Sequence, residues 1–305
     1  MSLFNAYVAL SGAIDAEVLR DERMARRTSW RIGGPAALFA RVNTVPALAR
    51  TVEVLSREGV EWVILGKGSN VLVSDEGYDG CVITLGRDFC RIGPDAGDGV
   101  VTAGAGVVLQ RLVGEVLKRS LAGLECCAGI PGTLGGAVSM NAGTAKEWIG
   151  SVVRDVVALR PGHGLVRHAA ADVEWGYRHT SLPADEIVLE ATLELAPAPR
   201  EEVSREMERR LQARRRSQPM GRPSCGSVFR NPPGESVGRL LESCGLKGYA
   251  VGGAQVSEVH ANFIVNNGNA TADDVVAVMR HMFQRVRAEH GIELQPEVKF
   301  LGTFS

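Results

Sequence analysis

The distribution of apolar and polar positions predicts most of the elements. From residue 36 an apolar run (36–42), a stretch with helical spacing (45–58) and a second apolar run (62–65) read as strand, helix, strand, and short apolar runs follow at 71–73 and 81–85. A strand at 100–103 precedes 107–117, which has so few polar positions that it reads as a buried helix. Segments 152–159, 165–169 and 187–195 are apolar or alternating without helical spacing and predict antiparallel sheet. Pro197 and Pro199 break the chain before 200–217, where Val203, Met207 and Leu211 mark one face of a helix. Beyond lie a Ser/Gly/Pro loop (218–227), a short helix (236–244), a strand (263–265) and a helix (272–289) with the stripe Val275, Val276, Met279, Met282, Phe283 and Val286. Thr271 and Asp274 have the spacing of a capping box, and 292–302 reads as a final strand. The pattern predicts an α+β chain of three domains, 1–85, 86–199 and 200–305.

Composition narrows the chemistry. At 305 residues with 45% hydrophobic and 23% charged positions, the chain supports real cores rather than disorder or a fibre. A net charge of −1 gives no global field for nucleic acid or an anionic membrane, so an anionic ligand must be met locally. Of 34 basic residues only five are Lys, so bidentate Arg donors are plentiful. The six cysteines (81, 90, 126, 127, 225, 244) form no CxxC pair and no metal-ligand spacing, which reads as reduced thiols and no metal. The first 20 residues lack the pattern of a secretory signal, and no apolar run reaches the roughly 18 residues of a membrane span. The expectation is a soluble, cytoplasmic protein.

Two glycine-rich segments are the candidate ligand loops. Gly66-Lys67-Gly68-Ser69-Asn70 follows a strand, where glycine lets backbone N–H groups approach a pyrophosphate. Val71 takes the place of the last glycine of a Rossmann fingerprint and extended residues follow, so that fold is excluded; no P-loop motif occurs. Gly129-Ile130-Pro131-Gly132-Thr133-Leu134-Gly135-Gly136-Ala137 packs four more glycines into nine positions. Each loop alone reads equally well as tight turns between strands. The two together favour a long diphosphate ligand such as a flavin dinucleotide.

Six blocks, in order, carry a resemblance: LGKGSNVLVSDEGYDG (65–80), GIPGTLGGAVSMNAG (129–143), GYRHTSL (176–182), PSCGSVFRNP (223–232), GGAQVSEVHANFIVN (252–266) and LQPEVKFLG (294–302). Across residues 28–302 the chain resembles the UDP-N-acetylenolpyruvoylglucosamine reductases of peptidoglycan synthesis, the MurB family, in the shorter subgroup without a substrate-capping tyrosine loop. The resemblance implies a two-subdomain FAD-binding fold of the vanillyl-alcohol-oxidase (PCMH) type, residues 1–85 and 86–199, followed by a substrate-binding domain at 200–305. It implies non-covalent FAD held by 66–70 and 129–137, NADPH as co-substrate, and UDP-N-acetylglucosamine enolpyruvate as substrate. Leu182 stands where the family commonly has an aromatic residue.

The same resemblance implies roles for single residues. Ser227 matches the proton donor, Glu297 the acid at the substrate carboxylate and Arg178, after Tyr177, its cationic partner; read from residue type alone, these are a turn serine, an exposed strand acid and a surface arginine. Arg209, Arg210, Arg214, Arg215, Arg216 and Arg222 occur with no acid between 209 and 222. Such a run is usually a solvated helix face, yet a UDP-sugar brings a diphosphate, for which Arg215 is the first candidate, with Asn231 nearby. His260 is a nucleotide contact or a packed histidine. A flavin-dependent alcohol or sugar oxidase of the same superfold is the competing reading; its common covalent tether, a His or Cys in the second glycine loop, has no counterpart at 129–137.

Overall fold

The computed structural model describes residues 2–95, 97–144 and 146–304. The chain divides into two compact units, one of residues 1–20, 38–67 and 80–212, the other of 21–37, 68–79 and 213–305. The boundary falls at 212/213, inside the helix Arg200–Ser217.

The first unit has two cores. One lies under a four-stranded sheet in the order Ala16–Arg23, Pro35–Val42, Tyr78–Leu85, Trp62–Ile64, the last pair parallel. Helix Val45–Glu58 buries Leu48, Val52 and Leu55 against Leu38, Val42 and Ile83. Its ends follow from sequence: Thr44 accepts from the Ala47 N–H, and Gly59 leaves the helix at φ +65°. The other core lies under an antiparallel sheet in the order Val100–Gly104, Ile187–Glu194, Val153–Arg160, Gly164–Ala169. Helix Leu109–Lys118 inserts Leu109, Leu112, Val113 and Val116 into this core, while Gln110 and Arg111 face solvent. It is therefore amphipathic, not buried all round: a single stripe of branched side chains suffices against one sheet face.

The second unit is built round Trp30, Val228, Phe229, Ile264, Val278, Met282 and Val286. Helix Ala272–His290 starts with the expected capping box, Thr271 Oγ1 accepting from the Asp274 N–H (3.0 Å) and Asp274 from the Thr271 N–H (3.1 Å). A small antiparallel sheet joins Ala250–Val251, Ala254–Val256 and Ile264–Asn266. The final strand is only Lys299–Leu301, parallel to Val71–Val73; residues 292–298 are held by other contacts. Helix Leu3–Leu10 was not evident in the sequence pattern.

Candidate active site

The segment carrying Ser227 is clamped on both sides within the second unit. On one side the Val228 N–H donates to the Asn262 carbonyl (2.9 Å) and Ser227 pairs with Phe263. On the other, the Glu297 N–H donates to the Val228 carbonyl (2.8 Å) and the Arg230 N–H to the Gln295 carbonyl (2.8 Å). Ser227 and Glu297 thus stand on adjacent backbone segments. Gly226 precedes the serine at φ +87° with open space where a Cβ would lie, so glycine is required there by conformation.

Glu297 is buried, at 8% exposure, and so is its neighbour Val298. The exposed strand acid that residue type alone suggests is therefore not what the fold contains, and the regular ladder begins only at Lys299. Burial, and then Glu297, raise the Cys225 thiol well above its usual range.

Two asparagines absent from the sequence-based list of catalytic residues fix this geometry. Asn262, 2% exposed, accepts from the Phe229 N–H (3.1 Å) and donates to the Phe229 carbonyl (2.8 Å), replacing a strand partner with a side chain. Asn70 of the first glycine loop donates to the Glu297 carbonyl (3.1 Å) and accepts at its own carbonyl from the Lys299 N–H (3.0 Å). Asn70 is therefore hydrogen-bonded on both sides to the backbone that carries the acid. Gly68 sits at φ +59°, and a Cβ there would lie 2.2 Å from the Arg27 carbonyl oxygen.

In the first unit the second glycine segment is a loop followed by the short helix Leu134–Ser139, rather than a pair of turns between strands. Thr133 caps this helix, accepting from the Gly136 N–H (3.4 Å). Gly129 and Gly132 adopt φ +76° and +131°. Gln110 holds the loop from below: it accepts from the Gly129 N–H (2.9 Å) and donates to the Ile130 carbonyl (2.7 Å). The loops meet where a Cβ on Gly66 would come 2.7 Å from Thr133 Oγ1. Gly135 packs on Ala105, while exposed Gly136 presents bare backbone, with only Thr133 Oγ1 within 4 Å of where its Cβ would be.

Arg178 is also in the first unit, at the tip of the hairpin Trp175–Gly176/His179–Thr180. It occupies the left-handed region at φ +55°, uncommon for a non-glycine residue. Its guanidinium lies 5.2 Å from the Tyr177 ring centroid, and Nη1 donates to the Gly143 carbonyl (3.4 Å). Tyr177 is exposed.

The remaining expected contacts are dispersed. Arg209 and Arg210 pair with Glu206, whose carboxyl they pull down to about 2, and Arg210 also reaches Glu147 (2.5 Å). Arg222 donates to Asn267, and Arg215 is exposed. Asn231 accepts from the Val237 N–H (3.0 Å), supplying the cap that Ser236 does not give helix Val237–Ser243. His260 accepts at Nδ1 from the Asn262 N–H (3.1 Å) and packs on Phe263; burial, then Lys247, lower its pKa. Cys244, Glu289 and His290 bring ligand-type atoms within 4.8 Å of one another, but Arg285 already places its guanidinium on Glu289 and on the Cys244 carbonyl. None of the six cysteines is in a disulfide.

Comparison with known proteins identifies the chain. A family model described as an FAD binding domain matches residues 36–161, which include both glycine loops, and one described as the C-terminal domain of UDP-N-acetylenolpyruvoylglucosamine reductase matches 218–301. The UDP-N-acetylenolpyruvoylglucosamine reductase of Syntrophotalea carbinolica is 43% identical over 96% of this chain and 97% of its own length. The chain belongs to the UDP-N-acetylenolpyruvoylglucosamine reductase family. The reductase of an Anaeromyxobacter species is 45% identical over 95% of this chain and 91% of its own. The crystal structure of the reductase (MurB) from Thermus caldophilus superposes with a TM-score of 0.80 at 36% identity, covering 94% of this chain and 98% of that one. The α+β fold expected from the reductase blocks, an FAD-binding part followed by the reductase C-terminal domain, is the fold found.

Proposed function

We propose that this chain catalyses the NADPH-dependent reduction of UDP-N-acetylglucosamine enolpyruvate to UDP-N-acetylmuramate through non-covalently bound FAD, as a cytoplasmic step of peptidoglycan synthesis serving cell-wall growth, shape and division. Reductase-family relatedness along nearly the whole chain supports the reaction. The observation that carries the residue assignment is the pairing of the Ser227 segment with that of Glu297. That no helix among the described residues is long and apolar enough to cross a membrane agrees with this reading.

The glycine segments fit a flavin dinucleotide: they adjoin at Gly66 and Thr133, adopt positive φ at 129 and 132, and leave the Gly136 backbone bare. Residues 66–70 and 129–137 would hold the pyrophosphate by backbone N–H groups. FAD supplies the hydride relay from NADPH to the enolpyruvyl double bond. Residues 1–85 and 86–199 are read as the FAD-binding subdomains and 200–305 as the substrate domain.

The protein's own groups handle the charge and the proton. Hydride arriving at one alkene carbon leaves an electron pair on the other, delocalised into the adjacent carboxylate. Arg178 provides the cation facing that carboxylate, and Glu297 in its acid form donates a hydrogen bond to it. The Ser227 hydroxyl delivers the proton that forms the new C–H bond, so hydride and proton add across the double bond; solvent reprotonates the serine oxygen. Arg215 is assigned to the diphosphate and Tyr177 to the substrate beside Arg178. Asn231 and His260 are assigned to the nucleotide in addition to their backbone bonds.

Purified protein should be yellow, release its flavin to the supernatant on acid precipitation, and consume NADPH only when the enolpyruvyl nucleotide sugar is present. Steady oxidation of an alcohol or sugar with O2 as acceptor would contradict this reading, as would flavin that stays with the protein pellet.

A further inference from the structure

Asn141 closes the second glycine block and was not among the candidate residues. It is 2% exposed and left-handed at φ +42°, a conformation that asparagine tolerates better than most residues. The two ends of its amide do different work. Oδ1 accepts from the Gly150 N–H (3.0 Å), and Nδ2 donates to the carbonyl of Gly176 (2.8 Å), the last residue before the hairpin tip Tyr177-Arg178. Two residues further on, the Gly143 carbonyl accepts from Arg178 Nη1. The seat is tight: a Cβ on Gly150 would lie 2.8 Å from Asn141 Oδ1 and 2.3 Å from the Trp175 ring.

The strand pairs of this hairpin are Trp175↔Thr180 and Gly176↔His179, continued by the Ser181 N–H on the Glu174 carbonyl (3.1 Å), a short ladder whose tip carries a left-handed arginine. At its base the hairpin is also held by Ser181 Oγ accepting from the Glu174 N–H (2.8 Å) and by Trp175 Nε1 donating to the Ala170 carbonyl (3.1 Å), while the corner after helix Leu134–Ser139 reaches the tip itself, through one buried amide and one carbonyl.

We infer that Asn141 is a positioning residue for the reaction: its buried amide locks the hairpin that presents Arg178, so that the chain segment of the cofactor loop also sets the orientation of the cation facing the substrate carboxylate. This rests on the assignment of Arg178 to that carboxylate. Nδ2 is the decisive atom. An aspartate keeps the shape and the bond to Gly150 but turns an acceptor toward the Gly176 carbonyl, and a glycine keeps the left-handed backbone while deleting the amide.

The test is a double-mutant cycle on the flavin-loaded enzyme. Asn141→Asp and Asn141→Gly should each retain flavin and be bleached by NADPH at close to the wild-type rate. Each should raise KM for UDP-N-acetylglucosamine enolpyruvate, with a loss in kcat/KM of about tenfold to a hundredfold, the scale of a misplaced binding group. In an Arg178→Ala background the same substitutions should add under about twofold, because the group they misplace is gone. An equal loss with and without Arg178, or bleaching slowed as much as reoxidation, would overturn the inference and leave the Arg178 assignment standing. If Arg178→Ala alone left the substrate parameters unchanged, the Arg178 assignment would fail and the inference with it.

Discussion

Glu297 is held by its backbone: its N–H bonds the serine segment, its carbonyl bonds Asn70, and the carboxyl-bearing residue is thereby kept at 8% exposure. Residue type alone reads Glu297 as an exposed strand acid, but the regular ladder starts two residues later and the residue is buried. The family blocks made Ser227, Glu297 and Arg178 legible as candidates. The residues that steady them, Asn70, Asn141 and Asn262, act through hydrogen bonds to backbone groups far away in sequence, and residue type alone gives no sign of that. His260 offers a test at this scale. Burial lowers its pKa below 6.5, so the fold favours the neutral ring, and its contribution is complete above about pH 6.5 and lost as the pH falls through the depressed value. The stability advantage of wild type over His260→Ala should therefore narrow between about pH 7.5 and about pH 5, followed by thermal unfolding. An advantage that is constant with pH would contradict a half-buried histidine held neutral by the fold.

Elements whose signals are local were the most legible. The helix Val45–Glu58, with Thr44 at one end and Gly59 at the other, and the helix behind Thr271 begin where their caps require. The stretch 107–117 misled because an apolar count ignores geometry; the helix Leu109–Lys118 meets one sheet face, and its other side is wet. The second glycine segment was read as a ligand loop or turns and contains both a loop and a capped helical turn. Gly132 carries the loop through φ +131°, which a β-branched side chain resists. Gly132→Val should yield folded but colourless protein, with flavin content per polypeptide, read by absorbance, falling by about tenfold or more if the loop holds the pyrophosphate. A yellow Gly132→Val protein with full flavin content would remove this loop from the cofactor site.

At the scale of the whole molecule, Pro197, Pro199 and the helix that follows suggest a boundary near residue 200, whereas the compact units divide at 212/213, inside that helix. That 21–37 and 68–79 belong to the same unit as 213–305 was not legible, because the bonds responsible span most of the chain. Trp30 Nε1 donates to the Ile264 carbonyl (2.7 Å), Asn266 Nδ2 to the Trp30 carbonyl (2.8 Å), and Val71–Val73 pairs with Lys299–Leu301. No window of local sequence contains both partners of such a bond. The reaction proposed for the assembled molecule has two halves that need different groups: flavin reduction by NADPH requires only that the nicotinamide be positioned, whereas reoxidation by the enolpyruvyl substrate needs the Ser227 proton. Stopped-flow absorbance of Ser227→Ala separates them. The account predicts flavin bleaching by NADPH at close to the wild-type rate and recovery of the oxidised spectrum with substrate slowed by about 10²-fold or more. Bleaching slowed as much as recovery would make Ser227 a structural residue of the cofactor site and contradict the assignment.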